Sequence, residues 1–259
     1  MPGEILLHAT EVSRRFGGLT AVDRASLTLV RGEVHAVIGT NGAGKSTLVN
    51  VLSGEMSPTG GRVHLQGRDV TRWPQPRRAR AGLGRSYQRT TIFPRSTVFE
   101  NCRLTAQAHY QRPFDWWSAA TRCRDSTRLA DLAIEQAGLT AQAHRIAGTL
   151  SHGQKRQLEI AMCLSTAPHV LLLDEPLAGM GAEETERMLS LLAALKRGHA
   201  ILLVEHDMDA VFRIADHITV MVDGAVIASG DPEAIRGNAA VQSAYLGEAG
   251  EVPATATTG

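Results

Sequence analysis

Cysteine is scarce in this 259-residue chain, which holds three: Cys102, Cys123 and Cys163. They lie far apart in sequence, odd in number and without a C-x-x-C pair. That argues against a disulfide frame or a zinc site and for reduced thiols in a cytoplasm. Net charge is lacking too, with 27 Lys and Arg against 26 Asp and Glu. So balanced a chain offers no broad electrostatic footprint for nucleic acid or anionic lipid. No apolar run approaches the ~18 residues of a membrane span; the longest, "HVLLLDE" and "AILLVEH", are strand-sized. The opening "MPGEILLHATEVSRRF" is too short in apolar residues and wrongly flanked for an export signal. Internal repeats and long heptad arrays are absent. What remains is an ordinary soluble composition, 43% apolar and 20% charged, with ample length for a buried core. Any link to a membrane has to come through a partner.

Against these absences stands one dense stretch, "GTNGAGKST", Gly39 to Thr47, directly after the apolar run "VHAVI". It matches G-x-x-x-x-G-K-[ST] with Gly39, Gly44, Lys45 and Ser46 in the fixed places. The physical reading is a loop that wraps phosphate oxygens through Gly39, Asn41, Gly42, Ala43, Gly44, Lys45, Ser46 and Thr47. Glycine lets backbone N–H groups converge on an anion without a Cβ in the way. Lys45 reaches the outer phosphates, the Ser46 hydroxyl can ligate Mg²⁺, and the following helix aims its positive end at the same spot. A chance match in a Gly-rich turn is the bland alternative. It does not explain why a strand, Val34 to Ile38, precedes the pattern and a helix, "KSTLVNVLSG", follows it.

Further along, "ILLHATEV", "ASLTLV", "VHAVI" and "RVHLQG" read as short strands. Asp69 to Arg85 is rich in arginine, and is read as a solvated face or a partner contact. From Val98 to Leu164 the pattern turns helical, with Leu129, Leu132, Ala133 and Gln136 predicted on one face and Gly138 closing the helix. "AEETERMLSLLAALKRG" predicts an amphipathic helix that buries Met188, Leu191, Leu192 and Leu195. It lies between two solid apolar strands, and that order implies a parallel sheet. "ITVMVDGAVIASG" reads as a hairpin turned at Asp223-Gly224, and "EVPATATTG" as a loose tail.

"VLLLDEP" is an apolar strand that ends in two carboxylates, which belong at the mouth of the sheet. Asp174 is placed to hold Mg²⁺ opposite Ser46, and Glu175 to orient an attacking water. "LSHGQKRQLEIA", Leu150 to Ala161, then resembles the L-S-G-G-Q signature of the ATP-binding cassette (ABC) family, with His152 in place of its first glycine. Over Leu6 to about Gly247 the chain is similar to that family. The resemblance implies an α/β fold: a P-loop NTPase (RecA-like) core with an N-terminal antiparallel β subdomain and a helical insertion. Residues 1–247 form the nucleotide-binding domain, with 1–88 and 166–247 as core and β subdomains and 89–165 as the helical subdomain; 248–259 are the tail. It also implies Phe16 as the adenine-stacking aromatic, Gln88 as the glutamine touching Mg²⁺ or its water, and His206 as the switch histidine on the γ-phosphate. Ser151, Gly153 and Gln154 would meet the nucleotide held by a facing subunit. Gly181 stands where many relatives place Asp.

Within the family, "RRFGGLTAVD", "YQRTTIFPRSTVFEN", "LAGMGAEET", "VEHDM" and "VQSAYLGE" resemble the ATPase subunits of importers for branched-chain amino acids and related amides or urea. The resemblance implies hydrolysis of ATP with Mg²⁺, catalysed by Glu175, His206, Gln88 and Lys45. Its expected partners are a second ABC ATPase subunit, two membrane permease subunits and, indirectly, an extracytoplasmic solute-binding protein. The expected location is the cytoplasmic face of the inner or plasma membrane, held there by the permeases. An exporter of lipopolysaccharide or lipid is the nearest rival within the family. A nucleic-acid-linked ABC ATPase is disfavoured because the segment between Gln88 and Ser151 is short and net charge is near zero. A ribosome-associated ABC protein is disfavoured because such proteins carry two cassettes in tandem.

Overall fold

The computed structural model describes residues 3–87, 91–110 and 124–248. Cys123, Gln88 and the last residues of the expected tail lie outside them. One long hairpin opens the chain, β1 (Ile5–Phe16) against β2 (Leu19–Val30), with Gly17 taking φ +57 at its turn. Along β1 the buried residues Leu7, Ala9 and Val12 are interspersed with exposed ones, as a sheet with one wet face requires. β4 (Gly60–Leu65) adds antiparallel to β1, and β5 (Arg68–Asp69) to β4. This is the expected antiparallel β subdomain.

The other lobe is the parallel core. β3 (Val34–Gly39), β8 (Ala200–Val204), β7 (Val170–Asp174) and β6 (Leu83–Arg85) lie side by side and run parallel. β9 (His217–Val222) flanks β3 on its other side, also parallel, and β10 (Ala225–Gly230) turns back on β9. Every residue of β7 and β8 is buried, which is why both read as unbroken apolar runs. The β9–β10 turn takes φ +46 at Asp223 and φ +82 at Gly224, the left-handed pair that a tight hairpin needs. β10 meets β2 through the single pair Ala225 and Asp23, which joins both lobes into one ten-stranded sheet.

Helix α1 (Lys45–Ser53) follows β3 and stops at Gly54, whose φ of +82 forms its left-handed cap. A short helix, α2 (Gln75–Arg80), precedes β6. α3 (Val98–Tyr110), α4 (Arg124–Gln136) and α5 (His152–Leu164) pack around Val98, Cys102, Ile134, Leu139, Leu158 and Ala161. α6 (Ala182–Leu195) crosses between β7 and β8 and buries Met188, Leu189, Leu191, Leu192 and Leu195. Each such side chain contributes about 1.5–3 kcal/mol of transfer free energy. α7 (Met208–Ile214), α8 (Pro232–Arg236) and α9 (Ala239–Glu248) complete the described elements.

Two sequence expectations are corrected. Along α4 the buried face is Leu129, Ala130, Ala133, Ile134 and Ala137, while Leu132 is 43% exposed and Gln136 faces solvent. Alanine counts as apolar in that packing, so the stripe falls one residue away from the leucine-led guess. The arginine segment is not wholly a solvated face either. Arg78 is fully buried and donates to the carbonyls of Val51, Leu52, Thr71 and Trp73, so it closes the open C-terminal end of α1. The Arg85 side chain is 7% exposed.

Candidate nucleotide site

Strand direction assembles the site. β3, β8, β7 and β6 are parallel, so their C-terminal ends share one edge of the sheet. Gly39 to Thr47 leaves that edge from β3, Glu205 and His206 leave it from β8, and Asp174 and Glu175 from β7. All but Glu205 are expected from sequence on different motifs, and the topology brings them to one edge.

Two of the loop's glycines, Gly39 and Gly44, are steric necessities. A Cβ on Gly39 would lie 2.0 Å from the Met221 carbonyl, and one on Gly44, at φ +94, would lie 2.1 Å from the Ala21 carbonyl. The backbone is thus wedged between β2 and the β9–β10 hairpin, and Gly224 N–H closes the wedge on Ala43 O at 3.1 Å. Lys45, 9% exposed, folds over the loop and donates from Nζ to Gly39 O at 2.6 Å and Thr40 O at 2.9 Å. Ser46 stands exposed in the first turn of α1. The Phe16 ring, 42% exposed, ends β1, and the Arg14 guanidinium lies 4.7 Å from its centroid. Arg14 is fixed there by a bond to Ser57 O at 2.8 Å.

Asp174 is 3% exposed, and its Oδ1 is buried with no hydrogen-bond partner among the described residues. Burial pushes its carboxyl pKa up, and Glu175 adds to that; Arg85 and Lys45 pull it the other way. A buried carboxylate oxygen left open by its neighbours is the kind of donor a hard divalent cation takes. No group of three or more acidic, His or Cys side chains that could cage a metal occurs among the described residues. The Asp174 carboxylate is a donor that fits Mg²⁺, which takes one carboxylate and draws its other ligands from phosphate and water. Glu175 follows at φ +50, its N–H bound to Val204 O at 2.9 Å. His206, with 64% of its side chain exposed, holds Nδ1 3.8 Å from Glu205 Oε2.

Two participants escaped the sequence reading. Glu205 is 1% exposed and accepts from Leu177 N–H at 2.7 Å and His206 N–H at 3.3 Å, so it ties His206 to the loop after Glu175. Burial pushes its pKa up to about 7. Its signal was present in "AILLVEH", an apolar strand ending in acid just as "VLLLDE" does. Arg85 donates to Ser53 Oγ and Glu55 Oε2, each at 2.7 Å, and to Asn50 Oδ1 at 2.5 Å, bracing α1 against β6. Nothing local in "GRSYQ" announces that long reach.

The signature turn stands elsewhere. Ser151 caps α5 through a reciprocal pair: its Oγ accepts from Gln154 N–H, and its own N–H donates to Gln154 Oε1. His152, at the first position of α5, takes its Cβ without strain, and its Nε2 donates to Ala178 O at 2.9 Å. The cleft of about 240 Å³ at this turn is lined by Ser151, Gly153, Gln154, Glu184 and Arg187 among others, and by no residue of the Lys45 loop. Gly181 is the N-cap of α6 and supplies no side-chain cap.

A family model described as ABC transporter matches residues 22–178, and one described as Branched-chain amino acid ATP-binding cassette transporter matches residues 225–251. The chain is 41% identical over 251 residues to the high-affinity branched-chain amino acid transport ATP-binding protein BraF of Pseudomonas aeruginosa, covering 94% of this chain and 98% of that one. It is 42% identical over 253 residues to LivG of Salmonella typhimurium, a protein of the same description, at the same two coverages. A crystal structure of the ADP conformation of an ATP-binding cassette of an ABC transporter superposes with a TM-score of 0.84 at 29% identity, covering 94% of this chain and 99% of that one.

Proposed function

Because the chain belongs to the ATP-binding cassette transporter family, we propose that it powers an importer of branched-chain amino acids or related amides by hydrolysing ATP in a dimer. The observation that carries the dimer is the separation of two half-sites on one chain. The Lys45 loop and the carboxylates of β7 share one sheet edge, while the Ser151 turn opens a different cleft. ATP then sits between the loop of one subunit and the signature turn of another.

In that arrangement the loop N–H groups and Lys45 hold the phosphates, and Phe16 offers its ring to adenine. Mg²⁺, with Ser46, Asp174 and Gln88 as its expected ligands, would neutralise charge on the phosphates. Glu175 orients the attacking water, and His206 donates to the terminal phosphate. Catalysis by such a site is mostly positioning and charge compensation. Residues 89–165 form the part that meets the permeases, and loss of the terminal phosphate lets the dimer part. No helix among the described residues is long and apolar enough to cross a membrane; attachment through permeases at the cytoplasmic face is supported by the likeness to transport ATP-binding proteins. The cargo reading rests on the named relatives and on the match at 225–251.

Uptake of labelled leucine by cells that carry this chain as their only cassette of the type tests the reading. Lys45→Ala should abolish uptake and leave the protein folded. Undiminished leucine uptake in that variant would end the reading.

A further inference from the structure

The donors of the signature turn already hold an anion, and it belongs to the same chain. Ser151 Oγ donates to Glu184 Oε1 at 3.1 Å, and Gly153 N–H donates to the same oxygen at 3.2 Å. The contact is close enough that a Cβ on Gly153 would fall 2.7 Å from that oxygen. Glu184 comes from the first turn of α6, where the helix's own positive end favours a carboxylate. One carboxylate oxygen therefore sits between the N-terminal ends of two helices. Ser151 Oγ accepts from Gln154 N–H with one of its two lone pairs and gives its single proton to Glu184.

A carboxylate oxygen and a phosphate oxygen compete for such donors on equal terms. Both are anionic acceptors that want a hydroxyl proton and a backbone N–H from a helix start. They cannot occupy the same two hydrogens, and their like charges repel. We propose that Glu184 is an intramolecular stand-in for the partner's phosphate: it orders the Ser151–Gly153 turn in the free subunit, is displaced when nucleotide arrives, and sets the ATP concentration at which two cassettes close. The inference rests on the sandwich reading above. The His152 bond to Ala178 O does not involve these donors, so the turn stays tied to its chain while Glu184 leaves.

The test is the ATP dependence of dimer formation, followed by sedimentation velocity in the presence of Mg²⁺. Glu175→Gln serves as the parent, because slowed hydrolysis accumulates the closed state. Glu184→Gln keeps an acceptor oxygen and removes the charge; Glu184→Ala removes both. The midpoint ATP concentration should fall about tenfold in Glu184→Ala, the fold-change equal to about one net charge-assisted hydrogen bond. It should fall by less in Glu184→Gln. Affinity of the monomer for a fluorescent ATP analogue should not move, since the Lys45 loop does not touch this cleft. Midpoints that stay put or rise in both variants overturn the inference and make Glu184 a mere support of the turn. If Glu184→Ala does not fold, Glu184→Gln decides alone. A parent that dimerises while its variants show no shift sinks the stand-in only; a parent and variants that all stay monomeric at saturating ATP sink the sandwich and the stand-in together.

Discussion

His35 lies on β3, the strand that leads into the Gly39–Thr47 loop, with 4% of its surface exposed. Its Nδ1–H donates to the Thr28 carbonyl at 3.0 Å, which leaves Nε2 to accept the Thr219 hydroxyl at 2.8 Å. Thr219 in turn accepts from Ser229 at 2.8 Å, and Ser229 from His217 Nε2–H at 3.0 Å. Every member is satisfied with His35 neutral. A proton on its Nε2 would reverse the whole chain of donors and set a charge 4.7 Å, ring to ring, from His217. Burial above all, with His217 adding to it, lowers the His35 pKa from 6.5 to about 4; the Thr28 bond only partly offsets this. The folded value is depressed, so folding favours the neutral ring. Its contribution is complete above the unfolded pKa of 6.5 and is lost as pH falls through 4. The gap is worth about 3 kcal/mol, of which about 2 kcal/mol has gone by pH ~5. The assay is urea unfolding of the wild type and His35→Gln at several pH values. Glutamine cannot take a proton there, yet its carbonyl can accept from Thr219, so the difference between the two proteins isolates this one group. At neutral pH the wild type should be the more stable by about 1 kcal/mol. The difference should shrink with acid and change sign by pH ~5. A difference that stays flat across that range would refute the directed hydrogen-bond chain.

Two further outcomes follow from other buried charges. Arg78→Met should lower the melting temperature by about 10 °C, because four carbonyls around α1 lose their donor at a cost of about 3–5 kcal/mol; a loss under ~2 °C would show that water replaces the guanidinium. Glu205 has the opposite pH sign to His35. With its pKa raised from 4.5 to about 7, its contribution to stability is complete below 4.5 and fades as pH climbs through 7. Unfolding of Glu205→Gln against wild type should therefore show a wild-type advantage that declines by about 3 kcal/mol across that window. A pH-independent difference would mean that the carboxyl is solvated.

How much was legible depended on the range of the interaction that fixed each element. The Gly39–Ser46 link from β3 into α1 could be read because its signal is local: glycines, a lysine and a hydroxyl at fixed spacing need no distant information. The β7 and β8 runs were legible because burial on both faces leaves nothing but apolar residues until the strand reaches the mouth of the sheet. The Asp223-Gly224 turn was legible because left-handed backbone restricts residue choice. Arg78 and Arg85 were not, since what settles them is the open end of α1 and its side chains Asn50 and Ser53, brought near only by the tertiary fold. The buried stripe of α4 was misread for a related reason: small alanines face α3 and α5, a choice made by helix spacing and not by residue hydrophobicity.

The segment from Asp174 to Glu184 shows why the two departures from the family pattern belong together. It starts with the carboxylates of the phosphate site and ends on the signature turn. On the way Leu177 N–H is fixed by Glu205, and Ala178 O by His152. A glycine in place of His152 could not reach Ala178, so the side chain that looked like a steric burden is a tether. Gly179 packs beneath it at φ +75, where its missing Cβ would lie 3.2 Å from the His152 ring. Gly181 brings no capping side chain, yet α6 still begins there with Glu183 and Glu184 in its first turn to answer the helix dipole. The same Glu184 then reaches the donors of α5. The loop that follows Glu175 is thus held within its own chain by His152, Glu205 and Glu184, a set of contacts that owes nothing to an aspartate at position 181.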